Sequence, residues 1–178
     1  MKGTPVRFLT PDLFPDIPPV REDGSTFRAN ALKKAVQTSR RTILPVLAED
    51  SGLEVRALGG RPGVHSARFA GKAQEDQANV RKLLRVMKKV PASRRQARFI
   101  CWMALAIAGR PIKTFQAHCA GSISFSPAGR TGFGYDPVFV PRRFNRTMAQ
   151  LGPRTKDSLS HRARAARQLK EWLVKTGL

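Results

Sequence analysis

The sequence predicts a mixed α/β fold. Three observations predict it. Helical and strand-like apolar periods alternate along the chain, one long antiparallel pair sits in the middle, and glycine- and proline-rich turns separate the segments. The chain has 178 residues and a 41% hydrophobic fraction, enough to bury the core of one domain or of two closely joined lobes.

Residues 10–24 are rich in Pro and Asp and read as a loop. Thr26 is placed as the N-cap of a helix running to about Ser39, with Phe27, Ala31, Leu32, Ala35 and Val36 at helical spacing. Residues 45–48 form a short apolar run that reads as a buried strand. It delivers Glu49, Asp50, Ser51 and Gly52 at its C-terminal end. Gly59-Gly60, Pro62-Gly63 and Gly71 mark tight turns. Residues 75–90 read as a second helix, with Val80, Leu83, Leu84 and Met87 on one apolar stripe and Arg81, Lys82, Arg85, Lys88 and Lys89 around the rest. Residues 96–108 and 112–125 read as antiparallel strands joined at Gly109-Arg110. The glycine-rich loop 129–134 leads into a short strand over 135–140. A final helix starts near Ser158 or Ser160, buries Leu169, Trp172 and Leu173, and stops at Gly177.

Composition bounds the class. No apolar run approaches the roughly 18 residues of a membrane span, and MKGTPVRF has no apolar signal core, so no membrane segment and a cytoplasmic location are expected. Two cysteines, Cys101 and Cys119, are too few for a disulfide scaffold or a four-cysteine zinc site and read as ordinary strand thiols. The net charge is +21, and it is uneven. Residues 77–178 carry 21 Lys and Arg against only Asp136, Asp157 and Glu171. Such a field attracts polyanions, nucleotides and nucleic acid alike, and a merely solvated basic surface is the plain alternative.

The chemistry centres on Glu49-Asp50-Ser51-Gly52. Adjacent carboxylates at a strand end can hold Mg²⁺ and orient or deprotonate water, and a turn with solvated carboxylates has the same sequence. The longer context decides between them. PVLAEDSGLEV followed by ALGGRPGVHSARFAG, ARFICWMALA, GFGYDPVFVP, then a lysine and SHRARA, resembles the inosine triphosphatase family of nucleotide pyrophosphatases in order and spacing across nearly the whole chain.

The resemblance implies an elongated mixed sheet flanked by helices, two lobes around a central cleft, and usually a homodimer. It implies Mg²⁺-dependent cleavage of ITP, dITP and XTP between the α and β phosphates. Asp50 would accept the proton and bind the metal, with Glu49 beside it. Ser51 would contact substrate, and Lys34, within NALKKA at 30–35, would contact the triphosphate, with Arg68 a second candidate. Phe133, Gly134, Tyr135, Asp136, Lys156, His161 and Arg162 would form the base side. The chemistry suits them: an aromatic ring offers a stacking face, and Lys156 and Arg162 are donors only, matching a 6-oxo acceptor and clashing with the amino group of adenine. His65 and His118 lack such context and read as structural.

The chain departs from the family pattern in four places. It enters at Met1-Lys2-Gly3, just before the family's second strand, so a single domain over 1–178 lacking the N-terminal strand and its T/S-x-N-x-x-K phosphate loop is expected. The family's metal-binding glutamate before the Asn of NALKKA is Ala29 here. Gln150 stands where a glutamate is usual, and Arg56, read as a surface residue, where an aspartate is common. Two readings of function follow: a pyrophosphatase with impaired activity, or a catalytically weakened relative that uses its basic charge to bind nucleotides or nucleic acid.

Overall fold

The structure, a computed structural model, describes residues 6–71 and 75–177. The entry at Met1-Lys2-Gly3 lies outside the described residues. Four strands form one sheet: β1 (Val46–Val55), β2 (Gln96–Ile107), β3 (Arg110–Ile123) and β4 (Phe139–Pro141), in the order β1-β2-β3-β4. With helices α1 (Phe27–Ser39), α2 (Asp76–Val86), α3 (Pro153–Leu159) and α4 (His161–Thr176), this is the predicted mixed α/β fold.

Helix α1 starts where its cap predicts: Thr26 Oγ1 accepts from the Ala29 N–H at 3.1 Å. Strand β1 corrects the sequence reading. It does not end at Ala48 but runs through Val55, and beyond Gly52 it buries Leu53 and Val55 fully on either side of the partly exposed Glu54. Glu49 and Asp50 therefore sit inside a strand. Helix α2 is shorter than the expected 75–90. Pro91 disfavours a helical Val90, and the Arg95 guanidinium takes the Met87 and Val90 carbonyls at 2.9 and 3.2 Å. Arg95 is itself 2% exposed and also donates to the carbonyls of Ile123 and Ser124.

The hairpin between β2 and β3 turns at Ala108-Gly109, one residue earlier than expected. Both residues have positive φ, 48° and 77°, the tight two-residue turn that matches strand twist. Strand β4 pairs antiparallel with β3 (Ser122 opposite Val140) and is shorter than 135–140. The N–H groups of Val138 and Phe139 both donate to the Tyr135 carbonyl, so 135–138 coil into a turn. The expected C-terminal helix is α4, and a short helix that the sequence did not announce, α3, precedes it. Extended Ser160 (φ −62°, ψ 146°) separates them, and its hydroxyl accepts from the Ala163 N–H at 3.1 Å. Pro153 opens α3 at a position where a proline costs no backbone bond, which its sequence disguises as loop.

The chain divides into two units. One comprises Met1–Asp50, Trp102–Gln116 and Ala165–Leu178, and the other Ser51–Cys101 and Ala117–Arg164. In the first, Ala31 and Ala35 of α1 pack with Ala104 and Ala106 of β2, a small-residue contact joined by Trp102. In the second, Leu53, Leu83, Met87, Phe99, Val138 and Phe139 anchor a larger core. Cys101 and Cys119 are buried thiols in strands, as expected, and Arg56 is exposed. No helix among the described residues is long and apolar enough to cross a membrane.

Candidate functional site

The first unit holds Asp50, Lys34 and two residues that the sequence did not single out. Asn30 and Lys34 lie one helical turn apart on α1, so their side chains share a face. Asn30 is 1% exposed and donates to Asp50 Oδ2 at 2.9 Å, while its own Oδ1 accepts from the Gly24 N–H at 2.7 Å. Lys34 Nζ lies 3.8 Å from Asp50 Oδ1 and 3.0 Å from Glu22 Oε1. Asp50 is 9% exposed, so these donors fix the orientation of a largely buried carboxylate. The signal for Asn30 was present in the sequence: an amide on the apolar face of a helix, between Phe27 and Ala31, must find a buried partner. Glu22 gave no such signal, because its loop has no period.

Two details alter the expected metal group. Successive side chains in a strand point to opposite faces, so Glu49 and Asp50 of β1 diverge. Ala29 is exposed on α1 and supplies only its backbone N–H, which Thr26 takes. Among the described residues no three His, Cys, Asp or Glu side chains gather as a metal site. The donors present still fit Mg²⁺, which takes oxygen ligands, needs only one or two carboxylates, and shares substrate phosphates and waters.

The second unit gathers the base-side candidates. Phe133 is 57% exposed, with Lys156 Nζ 4.7 Å and Arg162 Cζ 5.0 Å from its ring centroid. Asp136, nearly fully buried, pairs with Lys156 and accepts from the Phe133 N–H at 3.1 Å. Gly132 has φ 87°, and a Cβ there would collide with the Asp136 carboxylate, so glycine is required at the mouth of this loop. The Tyr135 hydroxyl donates to the Ser66 carbonyl at 2.9 Å, and burial, then the Asp76 carboxylate, pushes the phenol above its usual range. Tyr135 is thus a buried anchor, and its ring is not presented to solvent.

His161 opens α4 and stacks on Phe99, with centroids 4.9 Å apart and planes 9° from parallel. Burial, then the charges of Arg162 and Lys156, lowers its pKa to about 3, so the imidazole is neutral at physiological pH. Its Nδ1 and the Ser51 hydroxyl are buried polar atoms without a hydrogen-bond partner among the described residues. Such atoms are costly, and both belong to residues expected to touch substrate. Arg68 ends a 3₁₀ segment, Gly63–Arg68, and is exposed. Gln150 Oε1 accepts from the Thr147 N–H at 2.9 Å, so the amide performs the capping that a glutamate would.

Known proteins resemble the chain over most of its length. The Ham1 family model matches residues 2–172. The chain is 54% identical over 158 residues to the dITP/XTP pyrophosphatase of Geobacillus kaustophilus, covering 89% of this chain and 78% of that protein. Against the dITP/XTP pyrophosphatase of Geobacter sulfurreducens it is 46% identical, covering 100% of this chain and 89% of the other. The structure of the Staphylococcus aureus Ham1 protein superposes with a TM-score of 0.87 at 38% identity, over 93% of this chain and 85% of that one. With the motif blocks, the sheet and these relatives in agreement, the chain belongs to the Ham1 family.

Proposed function

We propose that this chain is a dITP/XTP pyrophosphatase that hydrolyses deaminated purine nucleoside triphosphates to the monophosphate and pyrophosphate. The observation that carries the base preference is the exposed Phe133 ring with two donor-only cations, Lys156 and Arg162, against it. A purine stacked there meets donors that satisfy a 6-oxo group and leave a 6-amino group facing other donors. His161, neutral and with Nδ1 unpartnered among the described residues, offers one further hydrogen bond that does not depend on pH near neutrality.

In this reading water attacks the α-phosphorus, the bond to the β-phosphate oxygen breaks, and pyrophosphate leaves. Asp50, oriented by Asn30 and Lys34, takes the proton from the attacking water. Lys34 turns its ammonium to the triphosphate, Ser51 donates its hydroxyl to substrate, and Arg68 adds charge. Family relatives with this activity work with a divalent metal, and Mg²⁺ is the ion proposed here, with Asp50 as its protein ligand. When bound it supplies charge neutralisation at the phosphates. Glu49, on the opposite face of β1, is the weaker candidate ligand. The basic excess of the chain steers an anionic substrate and also gives salt-sensitive, sequence-independent nucleic-acid binding. A homodimer and a cytoplasmic location belong to the proposal on the family resemblance alone.

The test is product identity and selectivity. The chain with Mg²⁺ is expected to convert dITP and XTP to monophosphate plus pyrophosphate, with dATP a poor substrate. Release of orthophosphate and a diphosphate, or equal turnover of dATP, would refute the reading.

A further inference from the structure

One face of α2 carries three side chains spaced three residues apart, Asp76, Asn79 and Lys82, and each reaches out of the helix to a loop backbone. Asp76 Oδ2 accepts from the Gly134 N–H at 2.6 Å. Asn79, 1% exposed, is used at both ends of its amide: Oδ1 accepts from the Ala70 N–H at 2.6 Å and Nδ2 donates to the Ala67 carbonyl at 2.9 Å. Lys82 Nζ donates to the Phe69 carbonyl and lies 4.7 Å from the centroid of the Phe69 ring.

Residues three apart on a helix share a face, so one side of α2 carries all three groups. The two loops they hold are the ones that matter for substrate. Residues 67–70 include Arg68, and Gly134 lies between Phe133 and Tyr135. Gly134 is in the left-handed region (φ 61°), and its N–H needs an acceptor from outside the loop. Asp76 supplies it as a charged acceptor, the stronger kind of hydrogen bond. The sequence shows α2 only as a core stripe with a basic surface, so this face is a third function of the helix.

We infer that α2 is the positioner of both substrate loops of its unit: Asp76 sets the Gly134 loop for the base, and Asn79 with Lys82 sets the 67–70 loop for the phosphates. This rests on the proposed base and phosphate roles. None of the three residues touches substrate, and each acts through the loop it holds. The consequence is a separation of effects. Loss of the Asp76 acceptor loosens the base loop without altering the phosphate contacts, and loss of the Lys82 donor does the reverse.

The experiment uses two partial ligands, dIMP for the base side and inorganic tripolyphosphate for the phosphate side, titrated calorimetrically into the full chain. Asp76→Ala is expected to weaken dIMP about tenfold, the scale of one charged hydrogen bond, with tripolyphosphate unchanged. Asp76→Asn, which keeps a neutral acceptor, should lie between the variant and the parent, and Asp76→Glu should recover most of the affinity. Lys82→Met, which keeps the stem on Phe69, is expected to weaken tripolyphosphate and spare dIMP. Thermal melts confirm that each variant is folded. Parent-like dIMP affinity in Asp76→Ala, or equal losses for both ligands in every variant, would overturn the inference. Failure of the parent chain to bind dIMP would instead overturn the proposed base site.

Discussion

The surroundings of Asp50 and the loop 132–136 are built differently. Asp50 is held by side chains: an amide from Asn30 and a lysine shared with Glu22, itself 38% exposed. The 132–136 loop is held by backbone groups and a partly buried ion pair: the N–H of Phe133 to Asp136, that of Gly134 to Asp76, the Tyr135 hydroxyl to the Ser66 carbonyl, and Lys156 against Asp136. The proposed base side keeps every residue that the family resemblance names, whereas the proposed acidic side has Ala29 where that resemblance implies a ligand. If the proposed roles hold, the difference teaches that selectivity and rate have separate supports in this chain. On the proposed function, selectivity rests on the Phe133, Lys156 and Arg162 side chains carried by a preorganised loop, and rate rests on the charged side chains around Asp50.

Substitutions can break that contrast. Short of removing Asp50, the largest effect expected is from Asp136→Ala. It strands Lys156 and the Phe133 N–H, and should lower stability by about 3 kcal/mol, with dIMP binding lost alongside; denaturant melts and calorimetry read both. The second effect is a pH dependence. His161 is lowered to about 3 in the folded chain against about 6.5 unfolded. The unfolded state therefore binds the extra proton between these values. The stability held by neutral His161 is fully present above about pH 6.5 and is lost progressively as pH falls toward 3. At pH 5 the loss is about 2 kcal/mol relative to pH 8. His161→Phe, which can keep the stack on Phe99, should flatten the melting profile over that range.

On the acidic side the effects should be smaller in stability and visible in kinetics. Lys34→Met is expected to raise KM for dITP about tenfold, as loss of one phosphate contact would. The smallest change sharpens the contrast from the other direction. Ala29→Glu should tighten Mn²⁺ binding several-fold, read by electron paramagnetic resonance of free Mn²⁺, and leave dIMP affinity unaltered. Equal shifts in both would show that the two supports are not separate.

Much of this was legible in the sequence, unevenly and for physical reasons. Thr26 and Ser160 announced helix starts because cap chemistry is local. The family blocks name Asp50, Phe133, Lys156, His161 and Arg162 as candidates for the site. Boundaries were missed where a distant residue decides them. Arg95 ends α2 by taking the carbonyls of Met87 and Val90, and the burial of Leu53 and Val55 extends β1. The partners Asn30, Glu22 and Asp76 were missed because their roles depend on which loops fold against them. The divergence of Glu49 from Asp50 was hidden by ending the strand at Ala48 and placing both carboxylates just past it.

On the proposed function, Asp50 carries the rate and leaves base recognition to the other set of residues. Asp50→Asn tests it in one preparation, with pyrophosphate release from dITP measured beside the affinity for dIMP. The expected result is a fall in turnover of about a thousandfold or more, about 4 kcal/mol of barrier, with dIMP affinity unchanged. Turnover within tenfold of the parent, or a parallel loss of dIMP binding, would contradict the account.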